Sequence, residues 1–412
     1  MAEFFDELET LDHDQREEGL FSRLPAHLES AVKVAPGLAR HLDGHDLSKV
    51  NSREALANLP VLRKAELMDA QTANPPFGGF ANQDTLKGNR VFLSPGPIWE
   101  PQGLGVDPWG EARSLFAAGF RPGDIAHTAL SYHMTPGGFI LDEGLRALGC
   151  TVFPAGIGNT EMQVEAASAL QPVAYVGTPD YLKVILDKAE ELGTDLSCFK
   201  KAVVSGGALF PSMREEYQER GVSVLQAYAT ADLGIIAYES QTNGAPNPGM
   251  IVNENLIVEI CRPGTGDPVA EGEVGELVVT NFSQAYPLVR FGTGDLSAVL
   301  PGQSPCGRTN MRINGWMGRA DQRTKVKGMF VDPKQIAALV KRHPEISAAR
   351  LVVERAGDQD AMRLLVTSNG VVDADSVSAS LREITKLGGA VEVVAELPND
   401  GKVISDERDY DS

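Results

Sequence analysis

Cysteine is scarce in this 412-residue chain: Cys150, Cys198, Cys261 and Cys306 lie far apart and form no C-x-x-C pair. That argues against a disulfide framework or a zinc site of ordinary spacing, and it fits a reducing cytoplasm. Basic residues are in deficit too. There are 37 Lys and Arg against 56 Asp and Glu, a formal charge of −19. Nucleic acid or an anionic membrane would need a basic patch, so neither is an expected partner. A small anionic substrate stays compatible, because local basic residues can overcome the global sign. No apolar run approaches transmembrane length. The acidic start, Met1-Ala2-Glu3-Phe4-Phe5-Asp6-Glu7-Leu8, has no signal-peptide core. Internal repeats and low-complexity tracts are missing as well. The expectation is a soluble cytoplasmic protein.

What is present is ordinary globular material: 42% hydrophobic and 23% charged residues, enough for a sizeable core. The length suggests two or three compact units. Residues 1–70 carry helical spacing, as in Leu20, Phe21, Leu24, Leu28 and Val32. Residues 75–110 are rich in Gly and Pro and read as loops around one strand near Val91-Phe92-Leu93. From 111 to 240 helices and strands alternate: helices at 110–119, 137–148, 160–169, 179–192 and 211–219, strands at 125–130, 151–153, 173–176, 201–205 and 223–226. Such alternation predicts a mostly parallel sheet covered on both faces. Residues 250–300 are short β-rich runs of an antiparallel sheet or small barrel. Beyond Gly318 a hairpin at 323–331, helices at 333–342 and 374–386 and strands near 349–354, 362–367 and 391–395 make a smaller α+β unit. The fold class is therefore α/β: a large N-terminal domain, 1–318, with a β-rich subdomain at about 245–318, then a small C-terminal domain, 319–412.

Several segments carry groups that could do chemistry. Arg290-Phe291-Gly292-Thr293-Gly294-Asp295-Leu296 places a carboxylate after a glycine-punctuated turn. Gly318-Arg319-Ala320-Asp321 precedes the basic run Lys325-Val326-Lys327-Gly328. A carboxylate suits a ribose diol and a guanidinium suits a phosphate. Arg319 could equally be half of a surface ion pair. In Tyr228-Ala229-Thr230-Ala231-Asp232 the ring could stack on a purine, the hydroxyl could bond a phosphate and the carboxylate could hold magnesium. Spacing alone equally allows a buried Tyr with a Thr–Asp cap. Ser205-Gly206-Gly207-Ala208 and Ser131-Tyr132-His133-Met134-Thr135-Pro136-Gly137-Gly138 follow strands, where glycines let backbone approach a ligand. A simple strand-to-helix turn and a structural His133 are the plainer alternatives.

In order along the chain, these motifs resemble the acyl-adenylate-forming enzymes, and the phenylacetate–CoA ligase family in particular. Leu59-Pro60 with Lys64, Asp69 and Pro76-Phe77-Gly78 is similar to that family's N-terminal segment. Leu148-Gly149-Cys150-Thr151-Val152, Gly158-Asn159-Thr160-Glu161-Met162-Gln163 and Gly177-Thr178-Pro179 fit as well. The resemblance spans about residues 55–405. It implies ATP, Mg2+ and coenzyme A as cofactors, with a small carboxylic acid, aryl or arylacetic by default, as substrate. By the same resemblance Tyr228 would lie near the adenine, Thr230 on a phosphate and Asp232, where the family has Glu, on magnesium. Asp295 would take the ribose hydroxyls and Arg319 the nucleotide. Ser205, Gly206, Gly207 and Ala208 would border adenine and acyl carboxylate, and Tyr132, His133, Gly137 and Gly138 would line the acyl pocket. Asp321 would be a hinge, Lys325, Lys327 and Gly328 the hairpin that the C-terminal lid brings in for CoA. Lys402 would be the lysine of adenylation, although a solvated tail lysine has the same sequence signature. A homodimer is left open.

One departure stands out. The family carries a Ser/Thr/Gly-rich phosphate loop after its first strand. This chain has Leu93-Ser94-Pro95-Gly96-Pro97-Ile98-Trp99-Glu100-Pro101. Prolines remove N–H donors that such a loop needs. Ser94 and the Gly96 amide are the contacts that remain. Two alternatives follow: an adenylate-forming ligase with a non-CoA acceptor, or a non-catalytic nucleotide or acyl-CoA binder.

Overall fold

The computed structural model describes residues 3–320, 322, 324–356, 359–368, 370–398 and 403–408. The chain divides into two compact units, Met1–Met317 and Gly318–Ser412.

The first unit is built on a nine-stranded sheet. Thr151–Phe153, Ile125–Ala129, Ala174–Gly177, Lys201–Val204 and Ser223–Thr230 run parallel in that spatial order. Gly234–Tyr238, Met250–Val252, Arg312–Ile313 and Val299–Leu300 continue the sheet antiparallel. The sheet is thus mixed where a mostly parallel one is expected from the alternation. The cause is local. The strand from Ser223 runs on past Gln226 to Thr230, and Ala231–Leu233 turn it straight into the next strand. So short a connection can only give an antiparallel pair, since a parallel one needs a crossover of a dozen residues or more. The turn depends on Gly234, with φ +77°, where a Cβ would sit 2.7 Å from the Trp109 carbonyl oxygen.

Amphipathic helices cover the parallel strands. Gly137–Leu148 buries Ile140, Leu141, Leu145 and Leu148, and Pro179–Glu191 opens on a proline and buries Leu182, Ile185, Leu186 and Ala189. Beyond Ala245–Pro246, which pairs with Gln241–Thr242, the stretch 245–318 is shared between two sheets. Part completes the large sheet; the rest, Ile257–Cys261, Gly275–Thr280 and Phe291–Ser297, forms a second sheet with Leu62–Arg63 at its parallel edge. The 75–110 region holds two strands: Val91–Ser94 pairs antiparallel with Ile98–Pro101.

Arg290 joins these parts. Its side chain is buried, donates to Glu259 at 3.0 and 3.1 Å, and donates to the carbonyls of Ala57, Leu59 and Gly266 at 2.6–2.8 Å. It fastens the loop before Leu62 to the second sheet and is structural. In the second unit, Ala390–Val393, Gln359–Ser368, Ile346–Ala356 and Ile404–Asp406 form a sheet, with helices Pro333–Arg342 and Ala374–Thr385. Thr324–Val326 and Met329–Val331 form a hairpin through Lys327-Gly328, both at positive φ, as a tight hairpin turn requires.

Replacing Arg290 by Met strands the Glu259 carboxylate in the core. Urea unfolding of Arg290→Met should show a loss of about 3–5 kcal/mol. A loss within about 0.5 kcal/mol, the range of surface substitutions, would contradict this role for the pair.

Candidate active site

Parallel strands deliver their carboxyl ends to one edge. Ala129 pairs with Gly177, Gly177 with Val204, and Val204 with Gln226. Ser131–Gly138, Thr178, Ser205–Ala208 and Tyr228–Asp232 therefore leave adjacent strands on the same side, where α/β sheets bind ligands. Backbone and side-chain bonds hold these segments. Ser205 N donates to Gly177 O at 2.9 Å, and Gln226 Nε2 donates to Gly207 O at 2.9 Å. Gly206 and Gly207 are exposed, and Gly206 has φ +75°. Gly138 N donates to Ser131 O at 2.8 Å, and a Cβ there would meet that oxygen at 2.8 Å. Tyr132 Oη donates to Asp142 at 3.0 Å, and its ring meets Phe139 edge-on at 5.1 Å. Burial raises the Asp142 carboxyl above its ordinary range. His133 is exposed and Gly137 opens the following helix.

Tyr228 and Asp295 meet. Tyr228 Oη donates to Asp295 Oδ2 at 2.6 Å, and Trp316 Nε1 donates to Oδ1 at 3.1 Å. The carboxylate is oriented from both sides. Trp316 escaped the sequence reading because only tertiary structure brings it to Asp295. Thr230 Oγ1 accepts from Leu233 N at 3.3 Å, so one lone pair shapes the turn toward Gly234.

Asp232 has a fully buried side chain, and Lys64 Nζ donates to its Oδ2 at 2.8 Å. Its other neighbour is Glu100, 2% exposed, which lies within hydrogen-bonding reach of it. Burial, then the Asp232 charge, push the Glu100 carboxyl well above the ordinary range. Ser94 Oγ donates to Glu100 Oε1 at 2.7 Å, so this hydroxyl is committed inside the hairpin. Pro95 and Pro97 are exposed at the tip around Gly96. Gln71 clamps the hairpin: its Nε2 donates to Trp99 O and its Oε1 accepts from Trp99 N, both at 2.8 Å. Lys64 and Gln71 are seven residues apart on helix Lys64–Ala73 and so share a face. The sequence alone does not single out Glu100 or Gln71. The available signal was a lone acid in the apolar run Ile98-Trp99-Glu100-Pro101.

The Gly158–Gln163 motif has a mechanical role. Gln163 Nε2 donates to Gly156 O and Gly158 O at 3.1 and 2.7 Å, which leaves Oε1 to accept from His127 Nε2 at 2.8 Å. Burial lowers the His127 pKa and keeps that ring neutral.

In the second unit, Arg319 lies 5.8 Å from the Phe330 ring centroid. Lys325 is half-buried and Lys327 and Gly328 form the exposed hairpin turn. Asp321 and Lys402 lie outside the described residues.

Hard carboxylate oxygens suit magnesium, which is commonly held by one or two carboxylates with substrate phosphates. Asp232 Oδ1 and Glu100 Oε2 are buried, and neither accepts a hydrogen bond from any described residue. These two acids fit that ion. No helix among the described residues is long and apolar enough to cross a membrane.

Residues 114–285 match the AMP-binding enzyme family. A phenylacetate–coenzyme A ligase of Thermus thermophilus is 31% identical over 92% of this chain and 90% of its own length. One from Escherichia coli is 31% identical over 88% and 84%. A solved 2-hydroxyisobutyryl-CoA ligase, in complex with 2-HIB-AMP and CoA, superposes with a TM-score of 0.82, covering 98% of this chain and 92% of that one at 24% identity. That likeness bears on the fold.

The Gln71 clamp makes a local prediction. Gln71→Ala leaves the Trp99 N–H without its partner and the Trp99 C=O with only the 3.5 Å bond from Tyr286 Oη, a loss of about 1–3 kcal/mol. Hydrogen exchange across 91–101 should accelerate while the parallel strands stay protected. Unchanged exchange there would show that the clamp does not hold the hairpin.

Proposed function

Because the chain belongs to the phenylacetate–coenzyme A ligase family of AMP-binding enzymes, we propose that it activates a carboxylic acid with ATP and passes the acyl group to coenzyme A. What carries this reading is the Tyr228–Asp295 pair at the carboxyl edge of the sheet, in a chain this similar to such ligases over nine-tenths of its length.

In the first half-reaction a carboxylate oxygen attacks the α-phosphorus of ATP, the α–β phosphoanhydride bond breaks, and pyrophosphate leaves. In the second, the thiol of coenzyme A attacks the acyl carbonyl, the bond to AMP breaks, and AMP and the thiol proton depart. Asp295 accepts from the ribose hydroxyls, held for that task by Tyr228 and Trp316. The Tyr228 ring, anchored through its hydroxyl, borders the adenine. Gly206 and Gly207 leave room for nucleotide and acyl carboxylate, and Tyr132 with Gly138 bounds the acyl group. Magnesium, held by Asp232, would neutralise charge on the triphosphate. Lys402 supplies positive charge to the attacked phosphate, Arg319 binds the nucleotide, and Asp321 is the hinge. Lys325, Lys327 and Gly328 serve the thioester step. An aryl or arylacetic acid is the substrate class we favour, and an intracellular setting follows from the use of ATP and coenzyme A. The donor-poor hairpin tip favours a second reading, a nucleotide or acyl-CoA binder without turnover.

The test is product analysis with Mg-ATP, coenzyme A and a panel of carboxylic acids. Acyl-CoA and AMP should appear together, with aryl and arylacetic acids best. Formation of ADP would contradict the mechanism, and binding of acyl-CoA with no product from any acid would favour the second reading.

Lys402→Ala should slow acyl-AMP formation by about 2–4 kcal/mol of transition-state stabilisation. It should spare thioester formation from supplied acyl-AMP. Equal slowing of both half-reactions would remove Lys402 from this role. Asp295→Ala should weaken ATP binding by about 1.5–3 kcal/mol, read as a raised KM for ATP at similar kcat. An unchanged KM would remove Asp295 from the ribose site.

A further inference from the structure

Glu100 is a deeply buried carboxylate to which the reaction above gives no task. It comes from the hairpin Val91–Pro101, which occupies the place of the donor-rich phosphate loop. Three features make it unusual. Its Oε2 and the Asp232 Oδ1 are both buried, and with both acids ionised no described residue donates to either. The charged groups acting on Glu100 are Asp232 and Lys64, so once Glu100 ionises two carboxylates and one ammonium leave one negative charge for a cation to balance. And the carboxylate is held in place: Ser94 fixes its other oxygen, while Gln71 fixes the backbone of the neighbouring Trp99.

A fixed anion beside a triphosphate repels it unless a cation stands between them. A loop rich in amides binds phosphate directly, but Pro95 and Pro97 have no amide hydrogen and the Ser94 hydroxyl is spent on Glu100. We propose that Glu100 and Asp232 together hold the divalent cation of the nucleotide, so that this chain grips the triphosphate through a protein-bound ion. This rests on the reading of the chain as an ATP-using ligase. Two carboxylates with phosphates and water are a common oxygen set for magnesium. Lys64, on the far oxygen of Asp232, limits the pair's excess charge when no nucleotide is present. Glu100 is then a residue of the ATP site peculiar to this hairpin, and Ser94 is its positioning residue.

The experiment is a Mn2+ titration of the nucleotide-free full chain, read from loss of the free-ion EPR signal. Wild type, Glu100→Gln, Asp232→Asn and Ser94→Ala are compared after melting curves establish that each is folded. Wild type should take up one ion. Glu100→Gln and Asp232→Asn should each weaken uptake by about 10–100-fold or more, and Ser94→Ala by about tenfold. If Glu100→Gln does not fold, Ser94→Ala carries the test, since it keeps both carboxylates. No Mn2+ uptake by wild type would mean that a proton fills the gap, and overturns the proposal. Equal uptake by wild type and Glu100→Gln, or by wild type and Ser94→Ala where that variant carries the test, overturns it too. Acyl-CoA formation is measured on the same preparations. Turnover by wild type with Mn2+ uptake indifferent to Glu100 sinks the cation role alone. Glu100-dependent uptake with no product from any acid supports the cation site and sinks the ligase reading.

Discussion

Beneath the carboxyl edge of the large sheet, the ion pair between Lys64 and Asp232 meets a second buried acid, Glu100. Burying charge is tolerated when it is paired and hydrogen-bonded, and is expensive otherwise. That constraint accounts for much of the surrounding structure. It gives the 91–101 hairpin a fixed pose, because Glu100 must reach both Ser94 and the Asp232 region. It gives helix Lys64–Ala73 a working face, which presents the ammonium at one end and the Gln71 clamp two turns later. It also makes the turn at Ala231–Leu233 consequential, since that turn fixes where Asp232 sits relative to Tyr228.

The rest of the site follows from sheet geometry. Parallel register aligns the ends of Ile125–Ala129, Ala174–Gly177 and Lys201–Val204. Loops that leave them have one side on which to lie. Gln226 and Gln163, the latter with His127, then tie those loops down through side-chain amides. Such amides fix the loop backbone without adding charge near an anionic ligand. Asp295 is handled in the same spirit: two neutral donors, Tyr228 and Trp316, orient its two oxygens.

Much of this was legible in the sequence, and the reasons differ from element to element. Helix Gly137–Leu148 and the strands around it announce themselves by period and by their bounding Gly and Pro. The antiparallel half of the large sheet does not, because Val299–Leu300 and Arg312–Ile313 are too short to show a period. Strand Ile98–Pro101 was hidden by the prolines at its two ends, Pro97 and Pro101. Arg290 reads as part of a nucleotide motif, yet in the fold it is a core anchor, a distinction that only burial can make. The motif residues Tyr228, Asp232 and Asp295 were visible through family resemblance. Their neighbours Trp316 and Glu100, and Gln71 that clamps Trp99, were not, because each lies far from its contact along the chain or within a segment that reads as loop.

The central claim is that one site on this chain makes an acyl-adenylate before any thiol takes part. Exchange of labelled pyrophosphate into ATP tests it most directly. Exchange should require the acid and a divalent cation and proceed without coenzyme A. Exchange that starts only when coenzyme A is added, or that ignores the acid, would contradict it.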